Sequence, residues 1–229
     1  MNAYDEMYLD DAMNNLGEAI EYCSSCGISP NTFMSLFISS GYADLFGNGN
    51  PSVVSGRSGT ELVQDVLSKV GLKTDFPKLR FISMSTPEYW SGWSLALYQW
   101  ASGRPFSKII NKISIEELMT LYHPLHEASE DKVIETIDEV IRSREKETYL
   151  QEMRKKTGMT QRKLSERSGV GIRTLQQYEN GARDINKASG NILMALSKAL
   201  GCKMEDLMQY PPVSLQSQLR YDLGVDHCD

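Results

Sequence analysis

Residues 160–181 contain the side chains whose types and spacing point most directly to a chemical task. They read Thr-Gln-Arg-Lys-Leu-Ser-Glu-Arg-Ser-Gly-Val-Gly-Ile-Arg-Thr-Leu-Gln-Gln-Tyr-Glu-Asn-Gly. Apolar residues at helical intervals indicate two short amphipathic helices. Gly169 suits the turn between them, because glycine adopts a positive φ at little cost. This is the spacing of a helix-turn-helix, which can place one polar helix face in the major groove of DNA.

The order of residues within this segment resembles the lambda/434 repressor-like family, often called the XRE family of bacterial regulators. The matching positions are Gln161, Leu164, Ser165, Gly169, Val170, Leu175, Tyr178, Glu179 and Gly181. The resemblance covers roughly residues 147–210, and Ser165 replaces the commoner alanine. It implies a domain of five short helices around one small core, in which Met204, Leu207 and Met208 belong to the last helix.

The resemblance also implies which side chains contact DNA. Ile172, Arg173 and Gln177 match the positions that face base edges. An isoleucine can touch a thymine methyl group, whereas arginine and glutamine can form bidentate pairs with guanine and adenine. The positions that match phosphate contacts, and so set register rather than sequence, are Gln161, Thr174, Arg183 and Lys187.

Two further residues match a structural pair of that family. Arg154 and Glu179 correspond to an arginine and a glutamate that join the first and third helices. A glutamate facing phosphates would be repelled, so an intramolecular ion pair fits the physics better than a DNA contact. An alternative interpretation stays open here, in which the two amphipathic helices pack inside an all-helical domain that contacts only protein.

The distribution of charge agrees with DNA binding although the total does not. The 229 residues carry a formal net charge of −6. Residues 145–210 hold 12 basic and 8 acidic side chains, and residues 1–128 hold 8 and 14. The basic part coincides with the motif, as phosphate contact requires.

Helical periodicity along the rest of the chain predicts an all-α protein. Ser114-Ile-Glu-Glu117 is a capping box, and Thr86-Pro87 begins a helix that holds all three tryptophans. We predict an N-terminal helical domain over residues 1–128, a connecting helix over 129–146, the DNA-binding domain over 147–210 and a loosely held tail over 211–229.

No apolar run approaches the roughly 20 residues that cross a bilayer, and no signal peptide is recognisable, so we expect a cytoplasmic protein.

The tryptophan helix is the most distinctive feature of the N-terminal half. Tyr89, Trp90, Trp93 and Trp100 lie on or beside one stripe of it. Core packing is the ordinary role of such a stripe, and a binding site for a protein partner or an apolar ligand is the alternative. We predict these four residues as partner-binding positions.

Catalysis and metal binding have little support in the sequence. It contains no G-x-S-x-G, P-loop, G-x-G-x-x-G or H-E-x-x-H motif, so we expect no enzymatic activity and no cofactor. Cys23-Ser-Ser-Cys26 and His123-Pro-Leu-His126 have spacings that could in principle hold zinc. A lone C-x-x-C is weak evidence, and we predict no metal.

These features give two functional hypotheses. The first is a sequence-specific DNA-binding transcriptional regulator, a homodimeric repressor or antitoxin-like autoregulator whose N-terminal domain binds a protein partner encoded nearby. The stretches 8–12 and 89–93 weakly resemble regions of antitoxin-type bacterial regulators. The second is a small-molecule-sensing regulator with a ligand pocket in the N-terminal domain.

Overall fold

A computed structural model of the protein describes residues 2–72, 76–77, 86–145 and 147–209. Over these ranges the chain forms α-helices and short 3-10 helices, with no β-strand. The all-α prediction is therefore confirmed. None of the described helices is long and apolar enough to cross a membrane. The predicted tail at 211–229 lies outside the described residues.

The chain divides into two compact units, with the boundary between Arg144 and Glu145. The helices of the first unit are α1 (Leu9–Ser25), α2 (Pro30–Ser39), α3 (Tyr42–Gly47), α4 (Pro51–Val54), α5 (Gly59–Lys69), α6 (Pro87–Ser102), α7 (Phe106–Ile110), α8 (Ile115–Thr120), α9 (Tyr122–Leu125) and α10 (Glu130–Arg144). Those of the second are α11 (Tyr149–Lys156), α12 (Gln161–Ser168), α13 (Ile172–Glu179) and α14 (Gly190–Leu200). Single 3-10 turns occur at Glu6–Tyr8, Ile185–Lys187 and Glu205–Leu207.

Local capping chemistry fixes where several helices begin. The Ser114 side chain accepts from the Glu117 backbone N–H while the Glu117 side chain accepts from the Ser114 N–H, which confirms the predicted capping box of α8. Thr86 caps α6 by a single bond, in which its side chain accepts from the Tyr89 N–H, and Pro87 follows it at N1. Such bonds satisfy backbone donors that a helix start otherwise leaves unpaired.

The first unit is organised around α6, which packs along α1. Glu88 is its one charged residue, and most of its side chains are buried on every face. A helix without a polar face has to be enclosed by its neighbours. Close approach to α1 depends on Gly92, where a Cβ atom would lie 2.4 Å from the Leu16 carbonyl oxygen.

This enclosure overturns the prediction that all four aromatic residues of α6 are available to a partner. Tyr89, Trp90 and Trp100 are buried, and only Trp93 is partly exposed. The buried polar groups bond internally: Trp100 Nε1 donates to the Tyr4 carbonyl at 2.9 Å, and Tyr89 Oη donates to Asn14 Oδ1 at 2.7 Å. The helix is apolar on all sides rather than along one stripe, so these rings form core.

The predicted connecting helix also belongs to the first unit. Val133, Ile137 and Ile141 of α10 are part of its hydrophobic core. Asp138 is buried against α6, where it accepts from Tyr98 Oη at 2.8 Å. Helix α10 therefore packs as part of the first unit, whose core covers its apolar face.

The second unit has its own core, formed by one buried cluster that includes Leu150, Leu164, Leu175, Leu196 and Leu207. Its last predicted helix, around Met204–Met208, is only a 3-10 turn over Glu205–Leu207. Asp206 Oδ2 accepts from the Lys203 backbone N–H at 3.0 Å. One turn is enough to bring Leu207 into the core.

Gly92→Ala tests the close contact between α1 and α6. The added methyl group would meet backbone rather than a movable side chain, so we expect the free energy of unfolding to fall by about 1–3 kcal/mol.

Gly47→Ala is the matched control, because the nearest atom is the Gln99 side-chain nitrogen at 3.3 Å. That variant should lie within about 1 kcal/mol of the parent. Tryptophan fluorescence during denaturation reports this unit, since all three tryptophans lie on α6. Equal stability of both variants would contradict a rigid contact.

Candidate nucleic-acid interface

The turn between α12 and α13 has the geometry that the sequence predicts. Thr160 caps α12 by accepting from the Lys163 N–H at 3.2 Å. Gly169 ends the helix with a φ of 72°, a left-handed conformation that glycine adopts without strain. Ser165 Oγ donates to the Val170 carbonyl at 2.6 Å, which ties α12 to the turn.

Helix α13 has one buried face and one exposed face. Leu175 and Tyr178 are buried in the core of the second unit. Ile172, Arg173 and Gln177, the three predicted base-contacting residues, are exposed. Ile172 is an apolar side chain that remains 38% exposed. The helix thus presents a polar face with one apolar residue near its N-terminus.

A bidentate ion pair fixes α13 against α11. Arg154 Nε donates to Glu179 Oε1 at 2.6 Å, and Arg154 Nη2 donates to Glu179 Oε2 at 2.9 Å. Both residues are buried. The hydrogen bonds that Arg154 donates to the Glu179 carboxylate raise the pKa of its guanidinium further above the usual value. The remaining guanidinium nitrogen, Arg154 Nη1, donates to the Met159 carbonyl at 2.7 Å.

Gln161 takes part in the same network. Its Nε2 donates to Glu179 Oε2 at 2.8 Å. Gln176 Nε2 in turn donates to Gln161 Oε1 at 3.4 Å. Neither bond could be predicted from the sequence, because both join residues far apart in the chain whose side chains are common on helix surfaces. The structure therefore gives Gln161 an internal role in addition to the predicted phosphate contact.

The remaining predicted phosphate positions surround α13. Thr174 is half-buried on α13. The Arg183 guanidinium lies over the Tyr178 ring, 5.4 Å from its centroid. Lys187 Nζ is 4.0 Å from Asp184 Oδ2, and the lysine side chain is 86% exposed. An exposed lysine of this kind loses little by exchanging such a contact for a phosphate.

Comparison with known families agrees with this geometry. Residues 150–207 match the family model described as helix-turn-helix. The C-terminal unit is a lambda-repressor-like helix-turn-helix domain. The chain is accordingly a DNA-binding transcriptional regulator. No curated protein and no solved structure matches it.

The cysteine and histidine pairs do not assemble a metal site within the described ranges, where no three His, Cys, Asp or Glu side chains are grouped to hold an ion. Cys23 Sγ donates to the Ile20 carbonyl at 3.1 Å. Burial raises the pKa of this thiol to about 12, which keeps it protonated. A protonated, buried thiol is a core residue rather than a ligand.

A double-mutant cycle measures the ion pair. Because Arg154→Ala or Glu179→Ala leaves a buried charge uncompensated, each should destabilise the second unit by about 3–5 kcal/mol. The double variant should lose clearly less than the sum. Amide hydrogen exchange of α13 in the full chain provides the measurement.

The control cycle uses Lys156, which is exposed, and Glu152, which is half-buried one turn earlier on α11, with Nζ and Oε1 2.7 Å apart. Its coupling should be about 0.3–0.5 kcal/mol. A coupling for Arg154 and Glu179 no larger than this control would refute the structural role.

Proposed function

We propose that the protein reads a specific DNA sequence with α13 in the major groove. The observation that carries this proposal is the exposed polar face of α13 on a helix held by Leu175, Tyr178 and the Arg154–Glu179 pair. Arg173 and Gln177 can pair with guanine and adenine edges, and Ile172 can touch a thymine methyl group. Rigid support limits the entropy lost on docking.

A second set of residues would fix the position of the protein on DNA without distinguishing base sequences. We assign phosphate contacts to Gln161, Thr174, Arg183 and Lys187. The exposure of Lys187 and the net charge of +4 over residues 145–210 support this assignment. Phosphate contacts supply affinity that depends on salt and not on base sequence.

Two alanine variants separate these roles. Arg173→Ala should weaken binding to the preferred site by about 1–3 kcal/mol and relax preference at one base pair. Lys187→Ala should weaken specific and random duplexes alike and lower the salt-dependence slope by about 1. Fluorescence anisotropy with both duplexes at several salt concentrations gives the comparison. If both variants lose specific and random DNA equally, the assignment of roles is wrong.

We further propose that the protein acts as a homodimer. One helix-turn-helix reads only a few base pairs, so specific binding ordinarily uses two half-sites about 34 Å apart. A dimer would place one α13 in each half-site.

Multi-angle light scattering tests the dimer, with and without a duplex obtained by selection from random sequence. The expected mass of the free protein is twice the 25.8 kDa of one chain. One chain per selected duplex, together with a monomer in solution, would contradict the proposal.

For the N-terminal unit we propose regulation by binding, with no catalytic role. Residues 1–144 hold 11 basic and 19 acidic side chains, a net charge of −8. Such a surface is repelled by DNA and complements a basic molecule. A basic protein partner encoded nearby, in a repressor or antitoxin-like autoregulator, is the first candidate.

Small-molecule sensing is the second candidate, and one observation favours it. A pocket of about 270 Å³ lies beside Trp93 in the first unit. The other aromatic residues of α6 are core, so this pocket is where the helix remains accessible.

A further inference from the structure

The pocket beside Trp93 is formed by four helices of the first unit. Its lining includes Asn14 of α1, Tyr89, Trp90 and Trp93 of α6, Leu125 of α9 and Val133 of α10. Tyr89, Trp90, Leu125 and Val133 are buried, whereas Trp93 is half-buried and Asn14 is exposed. The pocket thus has an aromatic and aliphatic interior and a polar rim.

Neighbouring rings hold the aromatic wall in place. The Trp90 ring meets Tyr122 edge to face, with centroids 6.0 Å apart. Tyr122 stacks on His126, another residue of the lining, with centroids 4.6 Å apart. Aromatic faces carry negative potential and attract cations within about 6 Å of the ring centroid.

Carboxylates on α1 and α10 precede residues that line the pocket by one helical turn. Asp10 lies one helical turn before Asn14, and Glu130 lies one turn before Val133. Burial raises the pKa of Glu130, and Asp10, Asp131 and Glu6 raise it further, so these like charges are close enough to repel.

Acidic residues also act on Tyr89, which lines the pocket. Burial raises the pKa of Tyr89, with further contributions from Glu18 and Glu21. On α10, Lys132 pairs with Glu135, with Nζ and Oε2 3.4 Å apart. A positive charge placed in the pocket would relieve repulsion among the acidic groups around it.

We propose that this pocket binds a small organic cation, an ammonium or guanidinium group carried on apolar atoms. The aromatic wall would contact the apolar atoms and the charge together, and the surrounding carboxylates would exclude anions. The volume of about 270 Å³ lies just below the range of about 300–1,000 Å³ for drug-sized ligands, so a smaller molecule fits. The inference rests on the sensing role proposed above and names its ligand class.

The position of α10 gives such binding a route to the DNA-binding domain. Val133 lines the pocket, and α10 is the last helix before the second unit begins at Glu145. A ligand that shifts α10 would therefore act on the segment that leads directly into the helix-turn-helix domain.

A charged and a neutral probe of equal shape test the proposal. Choline and 3,3-dimethyl-1-butanol differ in having nitrogen or carbon at the branched centre, so they separate charge from size. Each is titrated into the full-length protein while the three tryptophan indole N–H signals are followed by NMR. We expect choline to shift the Trp93 signal saturably and to bind at least about threefold more tightly than the alcohol.

Variants locate the site. In Trp93→Leu the reporter is the Trp90 indole signal, because Trp90 also lines the pocket, and choline should no longer shift it. The Asp10→Asn/Glu130→Gln double variant should weaken choline binding at least about threefold. The double variant changes only exposed side chains, so it should fold normally. Glu116→Gln, an exposed acidic residue of α8 that does not line the pocket, is the matched control and should leave binding unchanged.

Three outcomes would overturn the proposal. They are equal binding of the two probes, a choline response that survives both pocket variants, and capture of an arginine-rich peptide by protein that does not respond to choline. The last would identify a basic protein segment as the occupant. Because the titration contains no DNA, its result is independent of whether α13 reads DNA as proposed.

Discussion

The orientation of α13 depends on one buried carboxylate. Glu179 accepts two bonds from Arg154 of α11 and one from Gln161 of α12. A buried charge is tolerated only when it is paired and fully hydrogen-bonded. The hydrogen bonds to the Glu179 carboxylate therefore hold α11, α12 and α13 in one arrangement. This arrangement sets the direction of the exposed face of α13.

A different constraint organises the N-terminal unit. Helix α6 is enclosed on nearly all sides, so its polar groups need partners from distant parts of the chain. Gln99 Nε2 donates to the Gly47 carbonyl at 3.1 Å, and Tyr98 Oη donates to Asp138 of α10. The same enclosure explains why Tyr89, Trp90 and Trp100 are buried, whereas Trp93 is the one of these four that remains partly exposed.

The net charge differs in sign between the two units, each of which has its own core. Residues 1–144 carry −8, and residues 145–210 carry +4. The field of DNA attracts the second part and repels the first. This division agrees with DNA contact by the helix-turn-helix domain, and it supports the proposal that the acidic unit binds basic or cationic molecules.

Features that depend on near neighbours in the chain were predictable from the sequence alone. The helix-turn-helix followed from apolar spacing and the glycine turn at Gly169, and the capping box at Ser114 followed from residues three apart. The packing of α10 into the first core and the bond from Gln161 to Glu179 emerged only in the folded protein. The same holds for the burial of Trp90 and Trp100 and the partial exposure of Trp93. These outcomes depend on which helices pack together, because an apolar face or a glutamine side chain is compatible with many neighbours until the packing selects one.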